Sequence, residues 1–141
     1  MKIIKYIIFF IILNSTTKLY SQNDTERRWL IIVADDKNPA FQQQLEWIEA
    51  EKKSAIERRI GVMRWTSDEI TPIFHSPTKT IEPSDYLKRQ ISNDKNFEVI
   101  LVGLDGGIKL RQDQPVTTDK LFNLIDSMPM RQREMRQQNK R

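Results

Sequence analysis

The 141-residue sequence has no cysteine, a single histidine and only four glycines, and each shortage closes a branch of chemistry. Without a thiol there is no disulfide, no thiolate nucleophile, no cysteine-ligated metal and no lipid anchor on an N-terminal cysteine. The lone histidine, His75, stands between Phe74 and Ser76 in a stretch broken by Pro72, Pro77 and Pro83. A zinc site or catalytic triad built on it needs partners that no local spacing supplies, so it reads as a loop histidine. Gly103, Gly106 and Gly107 cluster between two apolar runs and do not open a helix, which removes the glycine-rich phosphate loop. No metal and no cofactor is expected, and thiol redox catalysis is excluded.

Excess charge is also scarce once it is divided along the chain. The formal net charge is +4, yet Met1–Ser21 holds Lys2, Lys5 and Lys18 with no acid, and Pro129–Arg141 holds five basic residues against Glu134. Between them, Gln22–Met128 carries 15 basic and 18 acidic residues, a net of −3. A mildly acidic body cannot coat a phosphate backbone, so nucleic acid is not an expected partner.

What is present at the N-terminus is an address. Lys2 and Lys5 precede an unbroken apolar run from Tyr6 to Leu13, followed by a polar stretch from Asn14 to Lys18. Spanning a bilayer takes about 20 apolar residues, and this run is too short. Residues 1–21 are therefore expected to be a signal peptide, cut between Ser21 and Gln22, leaving an exported protein, periplasmic or secreted, that does not stay in the membrane.

A short flexible segment at 22–27 should precede one domain over 28–128, with a basic tail at 129–141. Trp29–Val33 is a β-branched run that reads as a buried strand. Asn38-Pro39 is a helix start, with Asn as cap and Pro in the first turn. A long helix should follow, placing Phe41, Leu45, Ile48, Ala55, Ile56 and Ile60 on one face until Gly61 ends it. Val62–Thr66 is a second strand, parallel to the first across the helical crossover. Ser67–Pro83 reads as a surface loop or small ribbon and Ser84–Ile91 as a short helix, with Glu82 and Asp85 as cap or surface charges. Phe97–Val102 and Ile108–Arg111 flank Asp105-Gly106, a hairpin signal. Thr117 opens a last helix with Leu121, Phe122, Leu124, Ile125 and Met128 inward, and Pro129 stops it. The order βαβαββα predicts an α/β, thioredoxin-like fold: a four-stranded mixed sheet flanked by helices.

The C-terminal half carries a sharper pattern: Leu101-Val-Gly-Leu-Asp-Gly-Gly-Ile-Lys-Leu-Arg111, then Pro115-Val116, then Leu121-Phe-Asn-Leu-Ile-Asp-Ser-Met-Pro-Met-Arg-Gln132 with Glu134 and Met135. It resembles the domain-of-unknown-function family DUF4174 over Arg28 to about Arg136, with Leu104 standing where the family more often has lysine. The resemblance implies a thioredoxin- or peroxiredoxin-like fold in exported bacterial proteins and some extracellular matrix proteins of animals, and brings no established activity.

Two candidate sites follow from the residues. By the two-residue strand period Lys109 and Arg111 share a face, and Arg131 could join them as a basic binding strip, with Met128, Met130 and Met135 as adaptable neighbours. The bland reading makes the arginines a solvated tail. The alternative is a cleft at the strand ends joining Asp35 and Asp36 to Lys109 and Arg111, the basis for an enzyme of unrecognised type acting on a small anionic or polyol ligand. Asp35 and Asp36 also resemble the paired acids of a receiver domain, but Asp68 and Lys109 supply the remaining parts poorly. The expected function is a non-catalytic binding or structural module whose partner is an unidentified protein or small ligand of the cell envelope or exterior, with no catalytic residue assigned.

Overall fold

The computed structural model describes residues 27–67, 69–74, 85–91 and 95–140. The expected leader (1–21), most of the 22–27 segment, Asp68, His75 and Glu82 lie outside the described residues. Five strands, β1 (Arg28–Ala34), β2 (Ile60–Trp65), β3 (Ile70–Phe74), β4 (Phe97–Val102) and β5 (Ile108–Gln112), form one mixed sheet in the order β3-β2-β1-β4-β5. The helices are α1 (Pro39–Ala50), α2 (Lys52–Glu57), α3 (Asp85–Gln90), α4 (Thr118–Asp126) and α5 (Pro129–Gln138). Strand β1 pairs parallel to β2 and antiparallel to β4, and β4 pairs antiparallel to β5. This mixed arrangement is consistent with the thioredoxin-like connectivity expected from the sequence, with one strand more.

That extra strand is β3, antiparallel to β2, in the stretch expected to be loop or small ribbon. It carries Pro72, which has no N–H to give to a ladder and is tolerated in the outermost strand. A bulge between Val62 and Met63 interrupts the same pairing.

Alternation along the central strands builds two cores. Leu30, Ile32, Val99 and Leu101 face α1, α2 and α4, where Phe41, Ile48, Ala55, Leu121 and Ile125 close over them. Ile31, Val33, Ile100 and Val102 point the other way, toward Leu87 and Ile91 at α3. Completely buried aliphatic side chains of this kind contribute about 1.5–3 kcal/mol each. Both faces of β1 and β4 are covered, which is why Trp29–Ala34 and Val99–Val102 read as continuous apolar runs.

Asn38 caps α1 as expected: its Oδ1 accepts from the Ala40 N–H at 2.8 Å, with Pro39 in the first turn. The helix is not continuous, however. It breaks at Glu51, α2 ends at Glu57, and Ile60 belongs to β2. Ile56, expected in the core, is 42% exposed. The turn into β2 is made by Arg59 in the left-handed region (φ 54°), a conformation in which glycine is the usual residue. Gly61 does not end the helix. It lies in β2 opposite Trp29 of β1, where a Cβ would sit 2.4 Å from the indole ring.

Gln44 of α1 is fully buried and clamps the segment before α4. Its Nε2 donates to the Val116 carbonyl at 3.0 Å, and its Oε1 accepts from the Val116 N–H at 2.7 Å. The segment thereby has both backbone groups of Val116 satisfied without joining the sheet.

Candidate functional site

Most of the residues expected to form a basic, solvated tail at 129–141 are a helix, Pro129–Gln138. Pro129 both ends α4 and occupies the first turn of α5, because its fixed φ suits a helix start while its missing N–H cannot continue the helix before it. Helix α5 carries no apolar stripe to bury. It docks through charge: Arg131 is 1% exposed, and its guanidinium reaches Asp126 at 3.1 Å, Glu57 at 3.0 Å and Glu134 at 3.3 Å. Arg58 grips the same Asp126 at 2.6 Å and lies over the Phe122 ring, 4.5 Å from its centroid. Arg28, also 1% exposed, donates to Glu134 at 3.2 Å and to the Arg58 carbonyl at 2.8 Å. Three arginines therefore meet three acids and lock β1, α2, α4 and α5 together. Burial works against the charged form of the Asp126 carboxyl, but the hydrogen bonds from Arg58 and Arg131 outweigh it and hold this group below the usual aspartate range.

Beside this lattice lies a cavity of about 500 Å³ between the β4–β5 hairpin and the α4–α5 elbow, within the size range of small-molecule sites. Its wall is largely apolar, with Leu104 from the hairpin and Leu124, Met128, Pro129 and Met130 from the elbow. Arg28 and Lys109 are the cations in the wall and Asp105 its acid. The hairpin shapes this wall. Gly106 takes the left-handed turn position (φ 77°), and Asp105 Oδ1 accepts from the Gly107 N–H at 3.0 Å. Lys109 Nζ pairs with Asp105 at 2.6 Å, its stem lying where a side chain on Gly103 would be. The Lys109 hydrogen bond, and then the Gly107 N–H, keep the Asp105 carboxyl below its ordinary range.

A family model described as Domain of unknown function (DUF4174) matches residues 18–134. The chain belongs to the DUF4174 family. Comparison with curated proteins and with solved structures gave no match. Asp105-Gly106-Gly107 and Met128-Pro129-Met130 are more than 20 residues apart in sequence, yet the structure sets the hairpin and the elbow on opposite sides of one cavity.

The DUF4174 domain does not assemble the basic strip. The pairing of β4 with β5 shifts between Leu101 and Val102, opposite Leu110 and Ile108, so Lys109 is the extra residue of a bulge. A bulge breaks the two-residue alternation. Lys109 therefore turns to the cavity, whereas Arg111 lies on the α3 side, paired with the fully buried Glu98 at 3.2 Å and donating to the Gln90 carbonyl at 2.7 Å. Arg131 is enclosed in the lattice and offers nothing to a partner.

The acidic and basic cleft is not gathered either. Asp35 and Asp36 follow the C-terminal end of β1, and Asp35 borders a separate cavity of about 160 Å³. Asp36 lies 3.9 Å from Arg64. Lys109 stands level with Trp29 and Leu30 at the other end of β1, roughly 15–20 Å away at strand rise, too far for two groups to meet at one reacting atom. Among the described residues no cluster of three or more metal-ligating acids or histidines occurs, and no helix is long and apolar enough to cross a membrane.

Sequence reasoning missed Arg28, Arg58, Asp126 and Glu134 as members of the site. Their signals were a cation at the mouth of an apolar strand and a single acid, Glu134, inside an otherwise basic run.

Proposed function

We propose that this DUF4174 chain is an exported, non-catalytic binding module, and that the cavity between the β4–β5 hairpin and the α4–α5 elbow is where it binds. One observation carries the reading: the β4–β5 hairpin and the α4–α5 elbow, distant in sequence, meet across a cavity with a mostly apolar wall and few charges. Concave apolar sites with a small number of placed polar groups are the usual form of ligand pockets. The rigid lattice behind the cavity supports this reading, because a site held by packed helices and ion pairs needs little reordering to bind. The leader-like segment at 1–21 supports export.

The test is binding of the neutral fluorescent probe N-phenyl-1-naphthylamine to the wild type and to Leu124→Trp, which fills the cavity. Enhanced fluorescence that the filled variant loses, with its circular dichroism unchanged, is the expected result. Equal fluorescence from both removes the cavity from consideration. Turnover of a substrate by the isolated protein ends the non-catalytic reading, and an intact Met1 on protein recovered outside the cytoplasm ends the cleaved-leader reading.

A further inference from the structure

The cavity wall is mostly apolar, and its charged side chains are two cations, Arg28 and Lys109, against one acid, Asp105. Arg28 is 1% exposed and lines the cavity, and its Nε is the one buried side-chain nitrogen or oxygen among the described residues with no hydrogen-bond partner. The other guanidinium nitrogens are committed to Glu134 and to the Arg58 carbonyl. A guanidinium has five N–H donors and no acceptor, so the missing partner is an acceptor. Lys109, on the more exposed part of the wall, has three donors, and Asp105 takes one of them.

The elbow adds a third, independent feature. Met128, Pro129 and Met130, which begin the ten-residue α5, all line the cavity. Met128 in the cap position gives no side-chain hydrogen bond, and the first turn contains no acid. A helix start left in this condition has free N–H groups and a positive dipole end, which favour an anion. Two cations, one acid and an uncapped helix start thus face a space whose remaining wall is aliphatic and thioether. Met128 and Met130 are flexible chains that repack around a guest, which lets an acceptor approach the enclosed Arg28.

We infer that the ligand is an aliphatic carboxylate, whose apolar body fills the cavity and whose anionic head is taken by Lys109, Arg28 and the start of α5. This inference rests on the cavity being the binding site. A phosphate or nucleotide is a poor fit, because most of the wall offers no donor; a cationic amphiphile would oppose both side-chain cations and the helix dipole.

Calorimetric titration of the full chain with decanoate, decanol and decylamine decides it. Decanoate is expected to bind about tenfold or more tightly than either of the others, the margin of a charge-assisted hydrogen bond. Lys109→Gln, a change at the exposed member, should cut decanoate affinity by about three- to tenfold and leave decanol unchanged. Arg28→Lys, which keeps the charge but removes Nε–H, should do the same if it folds; Lys109→Gln decides the matter if it does not. Equal affinity for decanoate and decanol, tighter binding of decylamine, or a Lys109→Gln variant with wild-type preference each overturns the carboxylate assignment while leaving an apolar cavity standing. Failure of all three to bind, or binding that Leu124→Trp leaves intact, overturns the cavity reading as well.

Discussion

The two ends of β1 make opposite use of the same strand. Where β1 ends, Asp35 and Asp36 stand beside the start of α1, and Asp35 borders a small polar cavity. Where β1 begins, Arg28 sinks beneath α5 and borders a cavity about three times as large, with a mostly apolar wall. One end has exposed charge with loose partners, Asp36 being 68% exposed and 3.9 Å from Arg64. The other has enclosed charge in a closed lattice. The ion pairs that join the elements and the larger cavity have thus gathered where β1 begins, not where it ends.

The sharpest way to break that contrast is Arg131→Ala. It removes the Arg131 ion pair of Glu57 and one of two arginines from Asp126 and from Glu134. With Arg58 and Arg28 still in place, the expected cost is near the lower end of that for breaking a buried ionic group, about 3 kcal/mol; a fall in Tm of about 10 °C in thermal denaturation is expected at this domain size. A Tm within 2 °C of wild type would show that the lattice holds nothing together.

Acid should act at the same end. Asp126 has a folded-state pKa below its unfolded value, so it contributes stability above the unfolded pKa, near 4, and loses that contribution as pH falls through the folded value. Stability measured by urea unfolding should therefore drop from about pH 4 downward, and Asp126→Asn should flatten that slope while lowering stability at neutral pH. An unchanged slope would place the acid response elsewhere.

Gln44→Ala probes the connection between α1 and the segment leading into α4. It leaves the Val116 N–H and carbonyl enclosed without partners, and a loss of about 2–3 kcal/mol is expected in the same urea experiment. The smallest effect is expected at the far end: Asp35→Asn and Asp36→Asn should each change stability by no more than about 0.5 kcal/mol. A larger cost there would show that the acidic end also carries structural strain or a bound group.

Much of the fold was legible where local chemistry and tertiary packing agree. Phe97–Val102 is a strand over the residues expected, the Asn38-Pro39 helix start is in place, and the Asp105-Gly106 turn connects two antiparallel strands. Legibility failed where an element owes its existence to something other than an apolar face. Helix α5 is fixed by ionic contacts of Arg131 and Glu134, which leave no hydrophobic period to read. Strand β3 contains a proline, a residue that argues against a central strand and says nothing about an outer one. Arg59 turns the chain without glycine, and the bulge at Lys109 reverses a side chain that simple alternation would have placed with Arg111. The two halves of the candidate site were both visible as motifs; their meeting was not, because it depends on how α4 and α5 fold back over the hairpin.

The sheet's flanks have a bearing on recognition. On one side Pro72 leaves a gap in the row of amide donors, and on the other the bulged Lys109 and the following Arg111 put a kink and two long charged chains along the border. Neither margin offers a straight, unencumbered main chain against which a foreign segment could zip. A partner would then be selected by the shape and chemistry of side chains and not by strand addition, and these margins are poorly suited to growing into fibres by that route.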